Sequence, residues 1–228
     1  MWNYQNVRVM MAHYKYLNVL VCFCLLQYSL VEPLHAQNQK VIDTDFSKGQ
    51  LTNIQELKYN DLVKFHGHSC DGLLEGMQAL EVGLHILYPD GIVDRTNTRI
   101  ISRSSPCLTD AAIYLTGGRY QYNTFYVTDS IPGMYIIQRI DNKRTVIVNR
   151  KDKVKPDIID IMGKKAIAKE LSYSQLRKLK RLEEAYSRKL KKNKPESNFI
   201  VKLLYNYKWA PVLNNSFIKT DIINKDVK

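Results

Sequence analysis

The sequence of 228 residues predicts an α+β domain in which a mostly antiparallel sheet packs against helices. Two helix patterns come first, and three strand-like segments that include a hairpin follow them. Helices and strands that are grouped along the chain in this way are typical of α+β domains. Hydrophobic residues make up 45% of the chain and charged residues 25%, which excludes a disordered or collagen-like protein.

Residues 1–36 have the pattern of a secretory signal peptide. Arg8 and Lys15 precede an apolar run over 17–31, and Ala36 ends a small-residue cleavage site. The run is shorter than the roughly 20 residues that span a bilayer. We therefore expect cleavage after Ala36, export to the periplasm or secretion, and no membrane span in the mature chain.

The mature chain is predicted to begin with a core over residues 37–155. In its polar leader, leucine and isoleucine side chains lie at helical intervals between Leu51 and Leu62. From Asp71 onward, apolar side chains recur every three to four residues up to Leu87. This spacing predicts an amphipathic helix with one buried face.

A second helix and three strands complete the predicted core. Ser105 as N-cap and Pro106 in the first helical position start the helix, and Gly117 ends it. The strand-like segments follow in the order Asn123–Thr128, Tyr135–Ile140 and Arg144–Asn149. The polar residues between the last two segments predict a hairpin.

A basic helical extension is predicted over residues 156–210, packed on the core, with a loose tail over 211–228. Ser172 starts a capping box, apolar residues follow it at helical spacing, and Phe199 opens a final strand. Residues 143–194 hold 18 of the 34 Lys and Arg but 6 of the 22 Asp and Glu. The outer face of this helix is either solvated or binds a polyanion. We favour the solvated face and no nucleic-acid partner, because no aromatic platform is interleaved with the charges.

The segment just before the first helix carries the chemistry. It places His66, His68 and Cys70 at alternate positions. In an extended backbone these three side chains point to the same side, where they suit zinc or a similar divalent transition metal. The helix N-terminus also favours a thiolate at Cys70. The alternative is that Gly67 and Gly72 simply make turns and leave the histidines on the surface.

Cys107 lies in the opening turn of the second helix, again at a positive helix end. Asp110 shares its face three residues later, where it could orient a ligand, accept a proton or contact a metal. Cys70 and Cys107 are the two cysteines of the expected mature chain. They share a metal, form one disulfide, or are unrelated thiols. Because two thiols lie at helix starts and one of them is beside two histidines, we favour a shared metal site.

These segments resemble the signature of the FmdE family, which is named after the molybdenum formylmethanofuran dehydrogenase operon. Residues 65–76 are similar to F-H-G-H-x-C-P-G-L-x-x-G, and residues 107–117 are similar to C-x-x-D-A followed by L-T-G. The resemblance implies an α+β core, a homodimer and a metal site built from the first segment and the later cysteine. Its ligands would be His66, His68, Cys70 and Cys107.

The chain departs from the family signature at three places. Asp71 stands where the family usually has Pro, and Gly118 stands where many members have a further Cys. Residues 119–123 replace a common Gly-Lys-Gly-Asn segment. The missing Cys favours an open coordination position, and Arg119 offers a guanidinium fork for an anionic cofactor or substrate.

Two functions stay open from the sequence. One is an exported metal-dependent enzyme of unassigned reaction, with Cys70 and Asp110 as catalytic candidates and a small-molecule ligand. The other is a non-enzymatic module that hands a metal or metallated cofactor to a partner. The aromatic residues between 120 and 126 could cover a planar ligand in that case, although their spacing fits strand and core residues better.

Overall fold

The computed structural model describes residues 38–43 and 53–209. Within them, six helices and two mixed sheets confirm the predicted α+β class. The helices are α1 (Tyr59–His66), α2 (Asp71–Leu87), α3 (Pro106–Thr116), α4 (Asp157–Ile167), α5 (Tyr173–Lys192) and α6 (Pro195–Asn198). The strands are β1 (Asn38–Ile42), β2 (Gln55–Lys58), β3 (Ile92–Asp94), β4 (Thr98–Ser102), β5 (Phe125–Val127), β6 (Tyr135–Arg139), β7 (Thr145–Arg150) and β8 (Phe199–Leu203).

The larger sheet has five strands in the order β5-β4-β6-β7-β8. β5 runs parallel to β4, and the other three pairs are antiparallel, which confirms a mostly antiparallel sheet. β6 and β7 form the predicted hairpin, with Lys143 in the left-handed region at a φ of 58°. The final strand begins at Phe199 as expected and ends at Leu203.

A smaller sheet of three strands joins the leader to the core, in the order β2-β1-β3. The spacing of apolar residues between Leu51 and Leu62 wrongly indicated a helix around Leu57. Leu57 lies in β2 and pairs with Gln39 of β1. Leu57 is buried in this position. Pairing with a distant strand therefore outweighs the local apolar spacing.

Helix α2 is the centre of the fold and confirms the predicted first helix. Its leucines at 73, 80, 84 and 87 are fully buried. It packs against α3, β7 and α5, so that neighbours enclose most of its surface. Because α2 is held on several sides, its first turn is a fixed support for the residues just before it.

Helix α5 packs on α2 through an apolar stripe. Leu179, Tyr186 and Leu190 of this stripe are buried, and the Gln78 amide of α2 donates a hydrogen bond of 3.1 Å to the Leu190 carbonyl. The capping box at Ser172 forms as predicted, with Gln175 as its partner. The helix therefore presents a buried apolar side and an outer charged side.

The described residues, 38–43 and 53–209, belong to one compact unit. Its main core cluster extends from Val41 to Phe199, so this unit closes its own hydrophobic core. The predicted signal segment 1–36 and the predicted tail 211–228 lie outside the described residues. None of the helices in the described part of the chain combines the length and apolar character that crossing a bilayer requires.

Candidate metal centre

The histidine-rich segment is helical at its start, whereas the sequence predicted an extended backbone. Helix α1 continues through His66, and Gly67 then ends it in the left-handed region at a φ of 96°. The Gly67 N–H donates to the Val63 carbonyl at 2.8 Å, which completes the helix end. As a result the two imidazoles differ in solvent exposure. The His66 side chain is 5% exposed, whereas His68 is exposed. Their rings still lie 4.6 Å apart.

Cys70 is the N-cap residue of α2. Its Sγ accepts a hydrogen bond of 3.3 Å from the Leu73 N–H, so the thiol takes the place of the usual cap oxygen. Hydrogen bonding with Cys107 is the largest of the effects that lower the pKa of the Cys70 thiol to about 6. Burial opposes this shift, while the Leu73 N–H and the neighbouring imidazoles favour it. The lowered pKa of the Cys70 thiol therefore favours its thiolate form.

Cys107 lies in the first turn of α3, where the sequence predicted it, after Ser105 and Pro106. The two cysteines are thiols and do not form a disulfide, and their sulfurs lie 3.4 Å apart. Gly72 makes this approach possible, because a Cβ atom there would lie 3.1 Å from the Cys107 sulfur. A glycine in the first turn of α2 thus leaves the space that the second thiol occupies.

Asp110 orients the buried imidazole. His66 Nδ1 lies 2.7 Å from Asp110 Oδ2, where an Nδ1–H donates to the carboxylate. This tautomer leaves the lone pair of His66 Nε2 to face the two sulfurs. A carboxylate behind a ligating histidine is a common arrangement in metal sites, because it fixes the ring and raises the basicity of the coordinating nitrogen.

The three candidate ligand atoms form a small triangle. His66 Nε2 lies 3.9 Å from the Cys70 sulfur and 3.7 Å from the Cys107 sulfur, and the sulfurs are 3.4 Å apart. Tetrahedral zinc with ordinary Zn–S and Zn–N bonds separates two sulfurs by about 3.8 Å and sulfur from nitrogen by about 3.6 Å. These side chains therefore fit one face of a tetrahedral site, and they are the candidate metal-binding group among the described residues.

Sequence reasoning missed a charged network that supports this centre from α2. Glu75 is 4% exposed and lies 2.5 Å from Arg150 of β7. Lys155 lies 2.8 Å from Asp160 of α4 and 3.5 Å from Asp71, the residue after Cys70. Burial of these opposite charges ties the first turns of α2 to the large sheet and to α4. The signal in the sequence is Glu75 itself, a carboxylate one helical turn after Asp71 and between the apolar residues Leu73, Leu74 and Met77 of the buried face.

Tyr59 is a second residue that the sequence did not indicate. Its hydroxyl lies 3.0 Å from Ser69 Oγ and 3.4 Å from the Cys70 carbonyl oxygen. The ring is buried at the start of α1. Tyr59 therefore holds the loop between α1 and α2, which includes Ser69 and Cys70, against the core.

A polar cleft of about 430 Å³ opens beside the centre. Gly72 and Leu108, which belong to the first turns that carry the cysteines, form part of its wall. Charged side chains line the remainder, including Arg103, Arg150 and Lys155. Gly72 borders both the cleft and the Cys107 thiol, so the cleft lies next to the centre, although neither cysteine is among its lining residues.

Arg119 lies at the opposite end of α3 from Cys107. Its guanidinium donates to the Gly117 carbonyl at 3.2 Å, beyond a helix of 11 residues that is about 16 Å long. The structure therefore does not bring Arg119 together with the thiols, and its role in ligand binding stays a prediction. Of the aromatic residues near it, Phe125 and Tyr126 are buried in the core.

The fold and this site define an α+β protein with two partly exposed thiols at two helix N-termini and a buried imidazole beside them. Residues 65–200 match the family described as FmdE, molybdenum formylmethanofuran dehydrogenase operon. The match covers more than half of the chain, so the chain belongs to the FmdE family.

One solved structure found to be similar is a tungsten formylmethanofuran dehydrogenase FmdE-like protein from Syntrophus aciditrophicus. The two chains are 19% identical, with 65% of this chain and 72% of that chain covered at a TM-score of 0.41. No curated protein matches this sequence.

Proposed function

We propose that this FmdE-family chain is an exported metal-site protein in which His66, Cys70 and Cys107 bind one zinc or similar divalent transition metal. The observation that carries the proposal is the triangle of these three ligand atoms, all within 4.8 Å of one another. The low pKa of the Cys70 thiol supports it, because a thiolate binds metal without first losing a proton.

Three protein ligands leave a fourth coordination position. In catalytic zinc sites that position holds water or substrate, and the metal polarises the bound group. Two features support such an open site: the adjacent polar cleft, and the exposure of His68. Asp110 would position His66, and Cys70 would contribute a thiolate. An enzymatic role is therefore our first candidate function.

Metal transfer to a partner is the second candidate function. It is favoured by one observation, the partial exposure of both thiols, which leaves them within reach of another ligand. Saturable turnover of any small molecule by the metal-loaded protein would favour the enzyme. Complete release of the metal to a competing chelator within seconds, without turnover, would favour the carrier. The homodimer that the family resemblance implies stays a prediction for either case.

The first experiment measures metal content and free thiols on the same sample of Gln37–Lys228, purified without chelator or tag metal. We expect about one zinc-like ion per chain and two masked thiols. Absence of both metal and free thiols would mean a disulfide-linked domain and would overturn the proposal.

Single replacements then assign the ligands. We expect His66→Ala, Cys70→Ala and Cys107→Ala each to lower metal affinity at least about tenfold. His68→Ala tests whether His68 is a fourth protein ligand. If the site has three protein ligands and is open, the variant keeps its metal; if His68 closes the site as a fourth ligand, the variant loses metal affinity. His85→Ala, an exposed histidine on the last turn of α2, is the matched control. Unchanged metal content in all three ligand variants would contradict the assignment.

A further inference from the structure

The side of α5 that faces away from the core is basic and carries exposed apolar groups at its start. We call Tyr173, Leu176, Arg177, Lys180 and Arg181 the α5 outer face. Their spacing of three, four, seven and eight residues places them on one side of the helix. Tyr173 is 75% exposed and Leu176 is 42% exposed, and the three cations are exposed as well.

The charge of α5 is not balanced locally. Over Tyr173–Lys192 the helix carries eight Lys and Arg and two Glu. No salt bridge found among the described residues involves one of these eight cations. Arg150 and Lys155 of the cleft differ, since they are paired with buried carboxylates. Within α5, Lys189 donates to the Val154 carbonyl and Arg177 lies over the Tyr173 ring, but no described carboxylate pairs with Arg177, Lys180 or Arg181. The cations of the α5 outer face therefore remain available to an anionic partner.

Two exposed apolar side chains share this face with the cations, Tyr173 and Leu176. Nucleic-acid recognition relies mainly on charge, hydrogen bonds and base stacking, to which an aliphatic side chain such as Leu176 contributes little. At a membrane such a side chain gains by entering the boundary between lipid headgroups and acyl chains. Exposed apolar groups on the same helix face as cations that lack carboxylate partners therefore fit a membrane surface better than a nucleic acid.

We propose that the α5 outer face docks on a membrane surface that contains anionic lipid. Arg177, Lys180 and Arg181 contact the headgroup phosphates and carboxylates, and Tyr173 and Leu176 enter the headgroup boundary. This is a peripheral contact, in which charge and buried apolar area act together. It does not depend on the metal centre.

The test is co-sedimentation of Gln37–Lys228 with vesicles of phosphatidylcholine plus phosphatidylserine, compared with phosphatidylcholine alone. We expect at least about tenfold stronger binding to the anionic vesicles, and weaker binding as salt increases. The double variant R177Q/R181Q should lose about 25-fold and Y173S/L176S about tenfold. K143Q/R144Q, which removes two exposed cations from the hairpin between β6 and β7, is the matched control and should lose less than twofold.

Three results would overturn the proposal. Equal binding to both vesicle types would mean that the protein does not recognise anionic lipid. An equal loss in the hairpin control would mean that net charge alone is responsible. Full binding by Y173S/L176S would mean a purely electrostatic face that binds any polyanion. Circular dichroism and metal content, measured on every variant, keep these results separate from misfolding and from failure of the proposed metal site.

Discussion

The metal centre and the α5 outer face are built on opposite principles. At the centre, two thiols and an imidazole lie within 3.4 to 3.9 Å of one another, and each is fixed by a hydrogen bond or a close neighbour. On the outer face, five side chains share a surface and each is exposed. Small displacements should therefore abolish the function of the first region, whereas the second should lose function gradually with each residue removed.

The strongest test of this contrast is Gly72→Val. An added Cβ lies 3.1 Å from the sulfur and 3.2 Å from the Cβ of Cys107, and the branched methyl groups extend further. We expect the thiol to be displaced and metal affinity to fall by about a hundredfold, as measured by competition with a chromophoric chelator. Gly163→Val on α4 is the control, because nothing lies within 4 Å of a Cβ there. Equal affinities in the two variants would contradict the close packing inferred for Gly72.

Burial of charge distinguishes α2, which has Cys70 as its N-cap, from the exposed face of α5, and Glu81→Gln on α2 measures its effect. Burial on α2, with a smaller contribution from the Glu196 carboxylate, raises the pKa of Glu81 from 4.5 to about 7. The folded protein thus holds this proton more tightly than the unfolded chain. The stabilisation is complete below pH 4.5 and is lost as the pH rises through about 7.

The glutamine variant lacks this loss. We expect it to be more stable than the parent by about 2 kcal/mol at pH 8 and by nearly nothing at pH 4, measured by urea unfolding. Parallel pH profiles for the parent and Glu81→Gln would refute the argument.

Much of the centre of the fold could be predicted because its signals are local. The leucines of α2 recur every three to four residues, and Ser105, Pro106 and Gly117 mark both ends of α3 as the structure has them. The small sheet could not be predicted this way. Its strands have five, four and three residues, and Val41 of β1 pairs with Val93, far along the chain. Such short strands form only when a distant partner is in place.

At the candidate site, too, local features could be predicted from the sequence and contacts between distant residues could not. Cys70 and Cys107 could be placed at helix starts because the capping pattern is local. The partner of Asp110 could not be chosen, since His66 is 44 residues away and three roles were open to the carboxylate. The contact of Glu75 with Arg150 spans 75 residues. Spacing in the sequence indicates which residues share an element, but the packing of α1 on α3 decides which side chains meet.

Asp110→Asn tests the role of Asp110 in orienting His66, a role that follows from the packing of α1 on α3. An amide keeps the shape of the carboxylate but not its charge, so His66 is oriented less firmly and its Nε2 is less basic. We expect zinc affinity to fall by about tenfold, with the fold unchanged. Asp90→Asn, which removes a carboxylate from the turn after α2, should have no effect. A loss of similar size in both variants would assign the effect to net charge.

Lys180→Gln is expected to give the smallest effect, and it tests the gradual behaviour of the α5 outer face. The side chain is exposed and no described carboxylate pairs with it, so the free energy of unfolding should change by less than about 0.5 kcal/mol. Binding to phosphatidylserine vesicles should weaken by about fivefold, because one Lys or Arg near the surface contributes about 1 kcal/mol. Adding Lys180→Gln to R177Q/R181Q should multiply the losses, since exposed charges that share no partner act nearly independently. A complete loss of binding on the single replacement would instead mean that α5 holds one specific lipid headgroup, in the same way that the metal centre depends on each of its atoms.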